Sequence, residues 1–281
     1  MKKITCFFSF ILILCITILS CIYYAFQIEP YRLDIHTYDI GNNKQKKMDV
    51  KIVQFSDTHI KKDFTYQNLH KVVEAINKQQ ADIVIFTGDL YDNYAKYNDD
   101  ANIINELKSI QANYAKLAIW GNRDYGGGAS RQYENIMTQA GFTLLKNENW
   151  YISLQNNKTI LFTGLDDSML GNEYMNASTK LYEYDYSVLL SHEPDIVDAY
   201  QHLNYDLILS GHSHGGQINV PFLPIINKKA VSITSYSSKF TGGMYDLKNG
   251  KKLYVNTGLG TTHISARLGV PPEITVFHLY M

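Results

Sequence analysis

Five short motifs, each ending an apolar run, together hold nearly all the candidate metal ligands of this sequence. They are Asp57-Thr58-His59, Gly88-Asp89, Gly121-Asn122, Ser191-His192 and Gly211-His212-Ser213-His214. Carboxylate, imidazole and one amide together suit hard-to-borderline divalent cations rather than soft ones. Asp57 and His59 are two apart on an extended segment and so point to the same side, as do His212 and His214. A lone histidine after an apolar run is usually a partly buried polar residue, and a lone Gly-Asp is usually a turn. Five such motifs, each closing an apolar run, point instead to one shared site.

The elements that must position these motifs are legible in the runs before them. KIVQFS, DIVIFT, LAIW, YSVLL and DLILS each read as a buried strand. In open α/β sheets ligands collect in the crevice beyond the carboxyl ends of the strands, which is where all five motifs fall. Between them, Leu69, Val72, Val73 and Ile76 recur at helical spacing, as do Ile103, Ile104 and Leu107. Ile196, Val197 and Tyr200 continue the pattern after Pro194, a residue suited to a first helical turn. Upstream, RLDIHTYDI and the turn GNNKQKK predict a β-hairpin that opens the domain. From Ile218 onward VSITSY, KLYVNTG and EITVFHLY predict a β-heavy second half, so two packed sheets with helices outside are expected.

Residues 4–26 carry no charge. That stretch is long enough to cross a bilayer's hydrocarbon core. Lys2 and Lys3 precede it, which predicts a single-pass anchor with the rest of the chain outside the cytoplasm. A cleaved signal peptide is one alternative, and lipidation of Cys21 in the weak box Ile18-Leu19-Ser20-Cys21 is another. Cys6, Cys15 and Cys21 all fall in this segment, leaving the remainder without disulfide or thiolate ligand. A net charge of −1 gives no reason to expect nucleic acid as a partner. The expected division is an anchor at 1–27, an extended linker and first hairpin strand at 28–48, and one domain at 49–281.

The motifs resemble those of the calcineurin-like metallophosphoesterase family, D-x-H, GD, GN-[HD], H and GH-x-H, over roughly residues 49–281. The finer wording QFSDTH, GNRDYGGG and SGHSHGGQ is similar to a branch of membrane-tethered bacterial phosphodiesterases related to UDP-2,3-diacylglucosamine pyrophosphatases. The resemblance implies a four-layer α/β/β/α sandwich and two divalent cations, Mn2+ first, with Fe, Zn or Mg as alternatives. It further implies that Asp57, His59 and His214 hold one ion and Asn122, His192 and His212 the other. Asp89 would bridge the two, about 3.5–4 Å apart, so that a metal-bound hydroxide attacks phosphorus.

One position departs from the pattern. Many members have histidine after Gly-Asn, where this chain has Arg123. A guanidinium can hold phosphoryl oxygens through paired hydrogen bonds but cannot release a proton. Arg123 is therefore expected to bind the phosphoryl group, with an ion pair to Asp124 as the structural alternative. Gly215, Gly216 and His263, in glycine-rich loops, are the other expected substrate contacts. The apolar run Val220-Pro221-Phe222-Leu223-Pro224-Ile225-Ile226 is expected to be a buried turn region, with a lipid-facing lip as the alternative. His36, His70, His202 and His278 are expected to lie outside the site. The function these readings favour is a membrane-anchored dinuclear phosphoesterase acting on phosphodiester or pyrophosphate bonds, on a phospholipid or UDP-lipid substrate. The alternative is a cell-surface metal-binding module that keeps the fold but has lost turnover through Arg123.

Overall fold

The apolar runs assemble into two six-stranded sheets in the computed structural model, which describes residues 2–41, 50–155, 157–173, 182–200 and 203–281. The first sheet has the order β1-β12-β2-β3-β4-β5. Its strands are β1 Asp34–Gly41, β2 Val50–Phe55, β3 Ile83–Phe86, β4 Ala115–Ala118, β5 Thr143–Leu144 and β12 Glu273–Tyr280. The second sheet runs β10-β11-β9-β8-β7-β6. It comprises β6 Glu148–Ser153, β7 Thr159–Gly164, β8 Tyr186–Leu190, β9 Leu207–Ser210, β10 Gly243–Asp246 and β11 Lys252–Val255. Strands β2 to β5 are mutually parallel, as are β7, β8, β9 and β11. Every residue of β3 and β9 is buried, which is why IVIF and LILS are unbroken rather than alternating.

Three apolar layers separate four structural ones. Ile52, Ile83, Ile85 and Leu117 of the first sheet meet Phe162, Val188, Leu207 and Leu209 of the second. Helices α2 (Tyr66–Lys78), α3 (Asp100–Lys108) and α5 (Tyr133–Gln139) cover the outer face of the first sheet, with Leu69, Val73 and Ile76 packed among Val53, Phe55 and Phe86. Helix α2 begins where Thr65 and Asn68 form a capping box, satisfying amides that the first turn leaves open. On the second sheet's outer face Val197, in the short helix α6 (Val197–Tyr200), packs with Leu161, Leu189 and Ile208. The α/β/β/α sandwich expected from the motifs is the fold observed. Two further helices, α4 (Asn122–Gly126) and α7 (Pro224–Val231), follow β4 and the last metal motif, and the apolar α1 (Lys2–Gln27) precedes the sheets.

Two expectations are corrected here. β1 and β2 do not form a hairpin, because β12 lies between them, parallel to β1 and antiparallel to β2. The burial of β12 explains this: its first five residues are all buried, whereas β1 alternates between exposed and half-buried positions as an edge strand does. Residues 42–49, which include most of the expected turn, lie outside the described residues. VSITSY is not a strand either. Pro224 opens the helical turn of α7, which carries through Val231, and a β10 strand appears further on at Gly243–Asp246. The segment between α1 and β1 packs against the rest of the domain. Glu29 and Pro30 are buried in a 3-10 turn, Glu29 Oε1 accepts from Val270 N at 2.8 Å, and Arg267 N donates to Ala25 O at 2.9 Å.

Candidate metal centre

The five motifs meet at the carboxyl ends of β2, β3, β4, β8 and β9, where both sheets present their crevices on the same side. Five of the seven expected ligands adopt left-handed backbone: Asp57 (φ 51°), His59 (43°), Asp89 (63°), His212 (68°) and His214 (52°). Such conformations cost of order 1 kcal/mol or more each and tend to gather where function requires them. Here they turn each side chain back over the strand end it follows.

Asp57, Asp89, His192 and His212 are each held by one side-chain atom, leaving another turned toward the shared space. Asp57 Oδ2 accepts from Ser56 Oγ and from His212 N, the latter at 2.9 Å. Asp57 Oδ1 makes no hydrogen bond and lies 3.7 Å from His59 Nε2 and 3.5 Å from His214 Nε2. Asp89 Oδ1 accepts from Arg123 N at 2.7 Å, so its Oδ2 faces His59 Nε2 and His192 Nε2, each at 3.5 Å. His192 Nδ1 donates to Thr87 O at 2.6 Å, which leaves Nε2 buried and without a partner. His212 Nε2 donates to Ser235 O at 2.7 Å, setting Nδ1 with its lone pair 3.1 Å from Asn122 Oδ1. The Nε2 atoms of His59 and His214 are 2.9 Å apart.

Carboxylate and imidazole atoms crowded this closely, two of them buried without a partner, are what a cation would resolve. Two groupings stand out, Asp57 with His59 and His214, and Asp57 with Asp89 and His192; a third joins His192, Glu193 and His212. Asp89 Oδ2 touches both the His59 and the His192 sides. The residues present therefore fit a pair of oxygen- and nitrogen-ligated divalent ions.

The electrostatics point the same way. Burial raises Asp57, but His59, His214 and His192 outweigh it and hold the carboxyl well below its usual range. Burial opposed by His192 and His59 leaves Asp89 lowered too. Burial works against charge on His192 and His59, yet Asp89 and Asp57 beside them raise both. His212 is lowered to about 4 by burial and by the neighbouring His192, and burial takes His214 well below the ordinary imidazole value. Two carboxylates held low and two histidines held high thus favour positive charge on this spot.

A cavity of about 220 Å³ opens above the ligands, lined by Asp89, Asn122, Arg123 and His263 among others. Arg123 does not pair with Asp124. Its Nη2 donates to Thr262 Oγ1 at 3.0 Å, with the guanidinium on the cavity wall. Asp124 is fully buried, accepting from Asp89 N and Gly121 N at 2.9 Å and from Leu90 N at 3.0 Å. Burial and the charge of Asp89 push its carboxyl up, to about 8, against those three donors.

Exposed His263 stands on the cavity rim. Gly216 lines a small apolar slot of about 70 Å³ next to the cavity, with Ile218, Ala230, Ile233 and Ile264. Gly215 instead backs onto Val270 and Thr257, outside both spaces. His36, His70 and His278 lie elsewhere, paired with Glu273, Glu106 and Asp39, and His202 is outside the described residues. The run around Phe222 is no buried turn: α7 has no buried residue, and Phe222 is 99 % exposed.

Sequence reasoning missed three side chains here. Glu193 follows His192 directly and was overlooked beside it. Asp92 Oδ1 sits 3.5 Å from His59 Nδ1, three residues past Asp89 in the same turn. Arg267 is fully buried and donates to the carbonyls of Thr257, Gly258, Gly260 and Val270, pinning the loop behind His214. Nothing local in the sequence marks it.

A profile of the calcineurin-like phosphoesterase family matches residues 50–216. The uncharacterized metallophosphoesterase YkuE of Bacillus subtilis (strain 168) is 38% identical over 260 residues, 91% of this chain and 88% of that protein. The UDP-2,3-diacylglucosamine pyrophosphatase LpxG of Chlamydia trachomatis serovar D is 25% identical over 277 residues, covering 80% and 82%. Among solved structures, the NAD nucleotidase NadN of Haemophilus influenzae aligns at 12% identity and a TM-score of 0.49, over 75% of this chain and 45% of that one.

Proposed function

The chain belongs to the calcineurin-like phosphoesterase family, whose members are metal-dependent hydrolases of phosphate esters, and from that premise we propose that it is a membrane-anchored dinuclear enzyme that cleaves a phosphodiester or pyrophosphate bond in an amphiphilic substrate. Asp57, His59 and His214 would hold one divalent ion, Asn122, His192 and His212 the other, with Asp89 between them. The observation that carries this assignment is the set of buried, partnerless lone pairs on Asp57 Oδ1 and His192 Nε2, aimed into one space. When bound, two such ions activate water near neutral pH and neutralise charge on phosphorus.

The chain's own groups do the rest. Ser56 and the His212 amide fix Asp57, and Thr87 and Ser235 fix the tautomers of His192 and His212, which orients these three side chains in advance. Arg123, steadied by Thr262, offers its remaining N–H groups to the phosphoryl oxygens and stabilises the charge that builds there. It gives no proton to the leaving group, which favours departing groups that are already stable anions. The polar cavity adjoins a slot whose walls are almost wholly apolar, which supports a substrate with an acyl or alkyl portion. The likeness to LpxG supports a UDP-lipid or similar pyrophosphate as one such substrate.

Helix α1 (Lys2–Gln27), apolar from Ile4 onward, is long and apolar enough to span a bilayer, and we assign it as the anchor with the catalytic domain outside the cytoplasm, Lys2 and Lys3 remaining inside. Hydrolysis of bis-p-nitrophenyl phosphate by the purified full-length chain tests the activity. It should require added Mn2+ or a similar ion, and no turnover with any divalent cation would overturn the reading.

A further inference from the structure

Between the foot of α1 and the mouth of the metal centre lies a surface that the chain leaves apolar and uncovered. Phe222 is 99 % and Ile225 84 % exposed, and Leu223, Ile226, Ile233, Tyr236 and Ile264 are exposed beside them. Residues 218–238 contain no Asp or Glu, while α7 carries Lys228 and Lys229. A helix with no buried residue has no core to serve in this domain.

The surface is fastened to the anchor. Leu268 N donates to Gln217 O at 2.9 Å, and Asn219 N donates to Leu268 O at 2.7 Å. Leu268 also shares a hollow with Tyr24 and Ile28 of the helical foot, and its neighbour Arg267 donates to Ala25 O. Phe222 is three residues beyond Asn219, so its backbone is at most about 11 Å away. At the other end, Ile233 lines both the metal cavity and the apolar slot.

We propose that the bilayer holding α1 also covers this face, so that Phe222, Leu223 and Ile225 sit in the lipid interface and the mouth of the site opens at the membrane surface. The proposal rests on α1 being an anchor, as assigned above. Lipid is the occupant the observations favour. The patch continues from the apolar helix through rigid hydrogen bonds, its only charges are two lysines suited to lipid phosphate, and an exposed tyrosine stands at its edge, as is common at membrane interfaces. The domain is thereby held in one orientation, and an amphiphilic ester could pass from the bilayer into the slot without crossing water.

The test uses the full-length chain in phospholipid vesicles brominated near the headgroups, with Phe222→Trp and Ile225→Trp read against the Trp120 and Trp150 background. Lys248→Trp, in the exposed turn before β11 and so at the opposite end of the second sheet, is the control. Bromolipid should quench the Phe222→Trp and Ile225→Trp emission several-fold more than that of Lys248→Trp. Equal quenching in chains that resist carbonate extraction would overturn the docking while leaving the anchor standing. Emission that is blue-shifted but unquenched would assign the patch to a second copy of the chain and overturn it too. Release of the chain by carbonate would overturn the anchor itself, and the docking with it.

Discussion

The main-chain N–H of Arg123 donates to Asp89 Oδ1 at 2.7 Å, so the residue that lines the cavity above the ligands also orients the carboxylate between the two ligand groups. The two roles use different atoms. Arg123→Ala keeps the amide and removes the guanidinium, so metal content should be unchanged while kcat falls by about 10²–10³, the usual cost of one charge-stabilising donor. Arg123→His should recover most on esters with poor leaving groups. Equal activity of Arg123→Ala and parent on every ester tried would exclude the guanidinium from catalysis.

Asp89→Asn should lower metal content, read by elemental analysis, and abolish hydrolysis with circular dichroism unchanged. The ligands sit at strand ends above a separately packed core, so losing one leaves the sandwich intact. Full metal occupancy in this variant would sink the bridging assignment.

Asp124 should matter for stability rather than chemistry. Asp124→Ala strands three buried amides, those of Asp89, Leu90 and Gly121, and unsatisfied buried donors cost about 1–3 kcal/mol each. A destabilisation of at least about 3 kcal/mol in denaturant is expected on that principle, with Asp124→Asn milder because a carbonyl oxygen remains. A loss under about 0.5 kcal/mol, the size of an ordinary surface change, would contradict the hydrogen bonding.

Metal uptake should release protons. Asp57 and Asp89 raise His59 and His192 above the ordinary imidazole value against the effect of burial, so each holds more proton than a free imidazole would once the ions are stripped by chelator. Binding needs neutral imidazoles, hence apparent affinity must rise with pH, and keep rising past the ordinary histidine value near 6.5. Calorimetry at pH 7 in buffers of different ionisation enthalpy should show net release. Affinity that is level between pH 6.5 and 8 would argue against it.

Topology is accessible to a simple experiment. Protease added to spheroplasts should digest the domain beyond α1 while the cytoplasm stays protected. Survival of a membrane-bound domain would reverse the orientation.

The convergence of the candidate ligands was legible in the sequence because each follows a strand whose last residues are buried, and an apolar run of that kind is a strong local signal. The sheet order could not. β12 reaches its place between β1 and β2 from more than two hundred residues away, and pairing over that distance leaves no periodicity to detect. Asp124 illustrates a second limit: its acidity suggested a partner for Arg123, but a carboxylate beside a tight turn can be consumed by backbone amides instead. Arg267 acts on four carbonyls that only the folded loop brings together. The apolar stretch at Phe222 was ambiguous for a physical reason, since hydrophobicity alone does not say whether protein or lipid covers it.

The place of β12 governs how the protein can be made. The first sheet lacks the strand that joins β1 to β2 until residues 273–280 are made, so, on the anchor assignment proposed above, a nascent chain held at the membrane by α1 stays open until then. An open chain is what a translocation channel that threads unfolded polypeptide requires. Deleting residues 273–281 should therefore yield a product that is exported and degraded rather than a shorter enzyme.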